Sequence, residues 1–287
     1  MAARSGLAPA KVNLFLHVGP VDAEGYHPLA SLVAFADVGD RVEVAPAERL
    51  SLVVEGPFAA ALEGGDNLIL RAVRRLGEVA GVGEPPLALR LEKRLPIAAG
   101  LGGGSSDAGA ALKLARDVLG LKLDDDALAD IAAVVGADGP MCLHARAAWA
   151  EGRGDVLTAE PRLPRLAALL VNPGVPSPTG AVYRAYDAGP VAVADRPDPP
   201  ADWSATGVAA WLKGQRNDLE APAIAGAPQI AEALATVRAL PGVQLARMSG
   251  SGATVFALFG SSAEAKAAAA TLTVARPGWW VAPTILS

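Results

Sequence analysis

Pro96-Ile97-Ala98-Ala99-Gly100-Leu101-Gly102-Gly103-Gly104-Ser105-Ser106, with Asp107 opening an alanine-rich run behind it, is the stretch that decides how this chain is read. Four glycines in five positions, Gly100 and Gly102 to Gly104, strip side chains from a loop and free it to take positive φ angles. Such a loop can turn its backbone N–H groups around an anion. Ser105 and Ser106 add hydroxyls at a helix start, where unpaired N–H groups and the helix dipole already favour negative charge. Together these parts make a phosphate cradle. The omissions are as telling. No lysine precedes Ser105, so this is not a Walker A loop. Asp107 stands where the dinucleotide pattern G-x-G-x-x-G needs its last glycine, and G-x-S-x-G is missing too.

Working outward, Leu87-Ala88-Leu89-Arg90-Leu91 alternates as a strand leading to Lys93 and the loop. Behind the loop, Ala108, Ala111, Leu112, Ala115, Val118 and Leu119 form the buried stripe of a helix. A second helix is predicted over about 124–135, with Asp124 to Asp126 in its first turn and Gly136 as its stop. Asp138 follows directly, in Gly136-Ala137-Asp138-Gly139-Pro140, and so falls on a turn at a helix end. Upstream, residues 12–18 alternate as a strand. Val12, Leu14, Leu16 and Val18 share one face; Lys11, Asn13, Phe15 and His17 share the other. Residues 41–45 and 50–55 read as further strands, and Asp66-Asn67 as the cap of a helix carrying Leu68, Ile69, Ala72, Val73 and Leu76. Downstream, the Pro/Asp/Ala-rich residues 189–202 predict an exposed loop, and a helix is expected near 228–239. A second glycine–serine turn, Ser249-Gly250-Ser251-Gly252, feeds a buried strand. Ser261-Ser262 caps an alanine-rich helix, and Trp279 to Ile285 is a last strand in which Trp279 and Trp280 are packing residues. Both halves mix strands and helices, which predicts an α+β chain of two domains, 1–158 and 159–287.

Composition bounds the function. The chain has 287 residues, 52% of them hydrophobic and 19% charged, enough for a sizeable core. A net charge of −5 without a basic run argues against a nucleic-acid partner. No apolar run approaches the ~18 residues of a membrane span, and Met-Ala-Ala-Arg-Ser-Gly has no h-region, so neither a membrane nor a signal peptide is expected. The single cysteine, Cys142, fits a reducing, cytoplasmic setting and reads as a small core residue. His17, His27 and His144 are too scattered for a zinc site.

Three motifs stand in order: Pro9-Ala10-Lys11-Val12-Asn13-Leu14-Phe15-Leu16, the 96–107 loop, and Ser249-Gly250-Ser251-Gly252-Ala253-Thr254-Val255-Phe256. This set resembles the superfamily of galactokinase, homoserine kinase, mevalonate kinase and phosphomevalonate kinase. Gly25-Tyr26-His27, Asp66-Asn67-Leu68-Ile69, Lys93-Arg94-Leu95-Pro96, Gly136-Ala137-Asp138 and Asn217-Asp218-Leu219-Glu220 narrow the resemblance to the family of 4-diphosphocytidyl-2-C-methyl-D-erythritol kinases. The matching residues span nearly the whole chain. Gly139 before Pro140, Pro28 after the Tyr-His pair and the 189–202 loop depart from the family's pattern.

The resemblance implies a ribosomal-protein-S5-like ATP-binding domain followed by a ferredoxin-like α/β sandwich. It implies transfer of a phosphoryl group from ATP, with Mg²⁺, to the 2-hydroxyl of a cytidine diphosphate sugar-alcohol in non-mevalonate isoprenoid synthesis. Asp138 would be the general base and Lys11 its cationic partner. On the residues alone, these two read as a surface carboxylate and a snorkelling side chain. Pro96, Ile97, Ala98, Ala99, Gly100, Leu101, Gly102, Gly103, Gly104, Ser105 and Ser106 would hold the triphosphate, with Asn67 and Lys93 around adenine. Tyr26, His27, Tyr183 and Asn13 would meet the acceptor, two aromatic rings sandwiching the cytosine. The metal ligands stay unassigned, with Ser105 or Ser106 as candidates, and both monomer and homodimer remain open.

Overall fold

The structure, a computed structural model, describes residues 2–62 and 67–287. In chain order its elements are β1 (Arg4–Val18), β2 (Leu29–Pro46), β3 (Ser51–Glu55), α1 (Leu68–Val79), β4 (Leu87–Glu92), α2 (Gly103–Leu119), α3 (Asp125–Val135), α4 (Gly139–His144), β5 (Ala148–Glu151), β6 (Val156–Ala159), β7 (Leu166–Asn172), α5 (Thr179–Asp187), α6 (Ala205–Leu212), α7 (Glu220–Gly226), α8 (Gln229–Arg238), β8 (Val243–Met248), β9 (Val255–Phe259), α9 (Ser262–Ala275) and β10 (Trp280–Leu286). They form two compact units. The first is 1–11, 38–97 and 102–146; the second is 12–37, 98–101 and 147–287. The expected boundary at 158/159 falls inside the second unit.

In the first unit, β4 pairs antiparallel with β2, from Arg41↔Glu92 to Pro46↔Leu87, and parallel with β3. A parallel pair needs a crossover, and α1 supplies it. Asn67 accepts the Ile69 N–H at 2.8 Å and caps α1; Asp66, its expected companion, lies outside the described residues. Ile69, Ala72, Val73 and Leu76 of α1 meet Ala108, Ala111, Leu112 and Ala115 of α2, with Leu128 and Ile131 of α3 and Leu87, Leu89 and Leu91 of β4. Each large aliphatic side chain buried there contributes about 1.5–3 kcal/mol.

In the second unit the strand order β10-β7-β9-β8 is antiparallel throughout. Helices join β7 to β8 and β9 to β10, and each joined pair leaves one strand between its members. That is the split βαβ arrangement of a ferredoxin-like sheet. Helices α8 and α9 cover it with Ile230, Leu234, Val237, Ala265, Ala268 and Leu272.

Several boundaries differ from those the sequence predicts. Strand β2 begins at Leu29, not Arg41, because Ala30 to Ala36 are buried on both faces and leave no alternation to read. Helix α2 begins at Gly103, so Gly103 and Gly104 belong to its first turn rather than to a left-handed loop. Gly136 ends α3 in an extended conformation with φ −176°, not a left-handed one. The short α4 carries Pro140 in its first turn, where proline's fixed φ suits a helix and its missing N–H costs nothing.

Candidate active site

In the first unit the loop enters from a buried charge cluster. Lys93 Nζ lies 2.5 Å from Asp40 Oδ2 and 2.7 Å from Asp107 Oδ2, and all three residues are buried. Asp40 Oδ1 accepts the N–H groups of Arg94 (2.6 Å) and Leu95 (2.8 Å). One carboxylate therefore fixes the chain as it turns toward Pro96, and one lysine ties it to the first turns of α2. Burial pushes the Asp107 carboxyl up to about 7; Lys93 pulls it down and Asp40 pushes it up. Burial alone would lower Lys93, but Asp107 and Asp40 outweigh it and raise that lysine. Two carboxylates share one cation, so a proton on one of them brings the cluster to neutrality.

Helix α2 starts from Gly102, left-handed at φ +61°. A Cβ there would lie 3.2 Å from Lys11 Cε and 3.3 Å from Cys142 Sγ. A Cβ at Gly103 would lie 3.1 Å from Lys93 Nζ. The N–H groups of Gly103, Gly104 and Ser105 donate no hydrogen bond among the described residues, and no side chain caps them. They face outward at the positive end of a 17-residue helix. Ser105 is half-buried. Ser106 is wholly buried, which leaves Ser105 as the hydroxyl open to a ligand.

Lys11 Nζ lies 3.1 Å from Asp138 Oδ2. The lysine side chain is 8% exposed and the aspartate 38%. Asp138 occupies the N-cap position of α4, yet its side chain makes no capping bond. Its carboxylate is thus held by a cation and not spent on the helix. Gly139 beside it is required by packing: a Cβ would fall 2.1 Å from the Ala132 carbonyl oxygen of α3. Cys142 is buried with its thiol pushed up to about 12 by desolvation, with Asp138 adding to the rise, as suits a packing residue.

The middle of the loop belongs to the second unit. Gly100 takes φ +73°, and a Cβ there would sit 2.2 Å from the Ser249 carbonyl oxygen, so no other residue fits. Ala99 O accepts the Thr254 N–H at 3.1 Å, and Gly100 O accepts the Ser249 hydroxyl at 2.9 Å. In a trans peptide the N–H points opposite to the C=O. The N–H groups of Gly100 and Leu101 therefore point away from the 249–254 turn. That turn is itself clamped. Asn217 donates to Met248 O (2.8 Å) and Gly250 O (2.9 Å), Ser177 donates to Ser251 O (2.6 Å), and Ser249 Oγ accepts the Asn13 N–H (3.1 Å).

Also in the second unit, His27 packs on Tyr183, ring centroids 4.9 Å apart and planes tilted by 32°. Both ring nitrogens of His27 are engaged: Nδ1 with Gly19 O at 2.9 Å, Nε2 with Asp187 Oδ1 at 3.2 Å. Tyr26 is 54% exposed, and its ring lies under the Arg153 guanidinium, 4.0 Å from it. Asn13 donates from Nδ2 to Ser31 Oγ at 2.8 Å. Asp40, Asp107, Asn217, Ser249 and Arg153 carry much of this geometry without standing out in the sequence as site residues. Only the Asn217-Asp218-Leu219-Glu220 and Ser249–Phe256 motifs signal two of them.

The description GHMP kinases N terminal domain matches residues 67–146, and GHMP kinases C terminal matches 208–274. The chain is 58% identical over 281 residues to the 4-diphosphocytidyl-2-C-methyl-D-erythritol kinase of Caulobacter vibrioides (strain NA1000 / CB15N), covering 96% of this chain and 97% of that one. It belongs to that family, the 4-diphosphocytidyl-2-C-methyl-D-erythritol kinases. A crystal structure of a 4-(cytidine 5'-diphospho)-2C-methyl-D-erythritol kinase matches it with a TM-score of 0.78 and 35% identity, over 99% of each chain. The L. major mevalonate kinase in complex with R-mevalonate shares the fold, with a TM-score of 0.68 at 16% identity over 100% of this chain and 97% of that one. The chain is a small-molecule kinase of this family, built on the S5-like and ferredoxin-like domain pair. The two GHMP matches lie on either side of residue 158.

Proposed function

We propose that this kinase transfers the γ-phosphoryl group of ATP to the 2-hydroxyl of 4-diphosphocytidyl-2-C-methyl-D-erythritol, in non-mevalonate isoprenoid precursor synthesis. The observation that carries this reading is the 3.1 Å Lys11–Asp138 pair, whose carboxylate is partly exposed and unspent on its own helix. Phosphoryl transfer asks mainly for positioning and for charge stabilisation around the γ-phosphate. The acceptor hydroxyl would pass its proton to Asp138 as its oxygen attacks phosphorus and the bond to the ADP oxygen breaks. The Lys11 cation, 3.1 Å away, would orient that carboxylate and offset charge on the reacting oxygens. The outward N–H groups of Gly103, Gly104 and Ser105, and those of Gly100 and Leu101, would receive phosphate oxygens. Asn67 would meet adenine with its amide nitrogen, since its oxygen caps α1. Lys93, saturated by two carboxylates, would serve the nucleotide by fixing the loop.

Magnesium suits the donors present. It asks for few protein oxygens beside water and phosphate, and the Ser105 hydroxyl at the start of α2 is such an oxygen. Bound there, the ion would neutralise charge on the transferring phosphate.

For the acceptor, Tyr183 and His27 form an aromatic slab against which a pyrimidine can lie. With both His27 ring nitrogens engaged, its backbone groups are left to read the base edge. Asn13, adjacent in sequence to the Lys11 segment, would hold the sugar-alcohol. The test is ADP release with the cytidine diphosphate sugar-alcohol beside mevalonate and homoserine. Turnover of the first alone is expected. Comparable turnover of either alcohol lacking cytidine would overturn the reading.

A further inference from the structure

Tyr26 sits in a short loop with a support of its own. Asp22 Oδ1 accepts the N–H groups of Glu24 (3.0 Å) and Tyr26 (2.8 Å), and the Asp22 N–H returns to Tyr26 O at 2.7 Å. Gly25 turns the chain at φ +82°. This closes the loop on itself but does not fix the ring of Tyr26, which stands 54% exposed. An exposed tyrosine on a loop tip samples several χ1 rotamers, and ordering it on binding costs affinity.

Arg153 supplies the missing restraint. It stands in the turn between β5 and β6, and the Leu29 N–H donates to Gly152 O of that turn at 2.8 Å. Its guanidinium lies over the Tyr26 ring, 4.0 Å from the centroid, donates to Asp22 Oδ2 at 3.1 Å, and pairs with Glu24. One planar fork therefore spans two carboxylates of the loop and one face of its aromatic ring. Arginine is suited to this task and lysine is not, because the fork donates in several directions while its flat face stacks. With one face covered, Tyr26 presents a single open face.

We infer that Arg153 is a positioning residue for the acceptor: it locks Tyr26 so that the uncovered face receives the flat base of the cytidine moiety. This rests on the acceptor contact that the family resemblance implies for Tyr26, beside the Tyr183–His27 slab of the proposed function. Arg153 touches neither reacting atom in this account and acts through Tyr26.

The test is steady-state kinetics on the full chain with the cytidine diphosphate sugar-alcohol. Arg153→Ala is expected to raise KM for that substrate roughly 5–20-fold, with kcat and the KM for ATP near wild-type values. Arg153→Lys, which keeps the cation but loses the fork, should recover part of the loss. In a Tyr26→Ala background, Arg153→Ala should add little further. A full-sized effect of Arg153→Ala in that background would mean that its charge acts on the substrate diphosphate directly, and would overturn the inference. So would an unchanged acceptor KM in Arg153→Ala while Tyr26→Ala remains damaging. If Tyr26→Ala itself left the acceptor KM unchanged, the acceptor reading of Tyr26 would fail first and the inference with it.

Discussion

Two lysine–aspartate clusters in the first unit look alike on paper and differ in one respect. Lys93 is saturated: both carboxylates around it are buried, and Asp40 also holds two backbone N–H groups. Lys11 is buried too, but the Asp138 it faces is 38% exposed and leaves its helix uncapped. A carboxylate whose partners are all internal fixes structure. A carboxylate held by a cation on one side and open on the other can take a proton from something that arrives. The same pair of residue types thus builds a scaffold in one place and a reactive group in the other.

The largest effect should come from the open pair. Lys11→Ala is expected to lower kcat by roughly 10²–10⁴ while leaving the thermal midpoint nearly unchanged, since its partner is partly solvated. Combined with Asp138→Asn, the loss should be far less than additive, because the two act as one unit. Additive losses would separate them. The saturated cluster should behave the other way. Lys93→Ala strands Asp40 and Asp107 and should cost about 3–5 kcal/mol of unfolding free energy, read from urea denaturation. Wild-type stability with impaired turnover would move Lys93 from the scaffold to the chemistry.

A buried carboxylate of the second unit has both oxygens engaged: Glu160 accepts from Arg162 and from Trp149 Nε1. The Arg162 hydrogen bond, opposed by burial and helped by Trp149, pulls Glu160 down to about 2. A carboxyl lowered on folding stabilises the native state above its unfolded value near 4.5, and that gain is lost as pH falls through about 2. At neutral pH it amounts to at most about 3 kcal/mol, less whatever solvent screening removes at the exposed Arg162. Denaturation of wild type and Glu160→Gln at neutral pH and near pH 2.5 should show a gap that narrows with acid; a gap that holds constant would assign the difference to packing. The smallest effect probes the seam between scaffold and loop. Gly103→Val would place a Cβ 3.1 Å from Lys93 Nζ, so the buried cluster must shift slightly, at some cost in stability but without loss of the fold. ATP affinity should fall about tenfold by calorimetry. Unchanged binding with a native circular dichroism spectrum would remove the loop from the phosphate site.

The elements most legible in sequence were those with a one-sided pattern. The α2 stripe from Ala108 to Val118 and the Asn67 cap follow from local spacing. Strand β2 did not, because Ala30 to Ala36 are buried on both faces and periodicity vanishes there. The loop was legible as a glycine-rich turn into α2, but Ala98 takes a positive φ beside Gly100 and Gly102, while Gly103 is tied to close approach instead. Lys11 and Asp138 are 127 positions apart, and only the family resemblance pairs them. Asp40 escaped notice for the same reason: its partners Lys93, Arg94 and Leu95 lie 53 to 55 positions away. The contact of Tyr26 with the Arg153 guanidinium carried no signal in the sequence, because the two residues lie far apart along the chain.

Turnover and ligand binding of Asp138→Asn, measured side by side on one preparation, test the central claim most directly. The amide keeps the shape of the carboxylate and cannot accept the proton. Calorimetric affinities for ATP and for the cytidine substrate should stay within about threefold of wild type, while kcat drops by roughly 10²–10⁴. Near-normal kcat would contradict the account, leaving positioning and the phosphate loop to carry the rate without a carboxylate base.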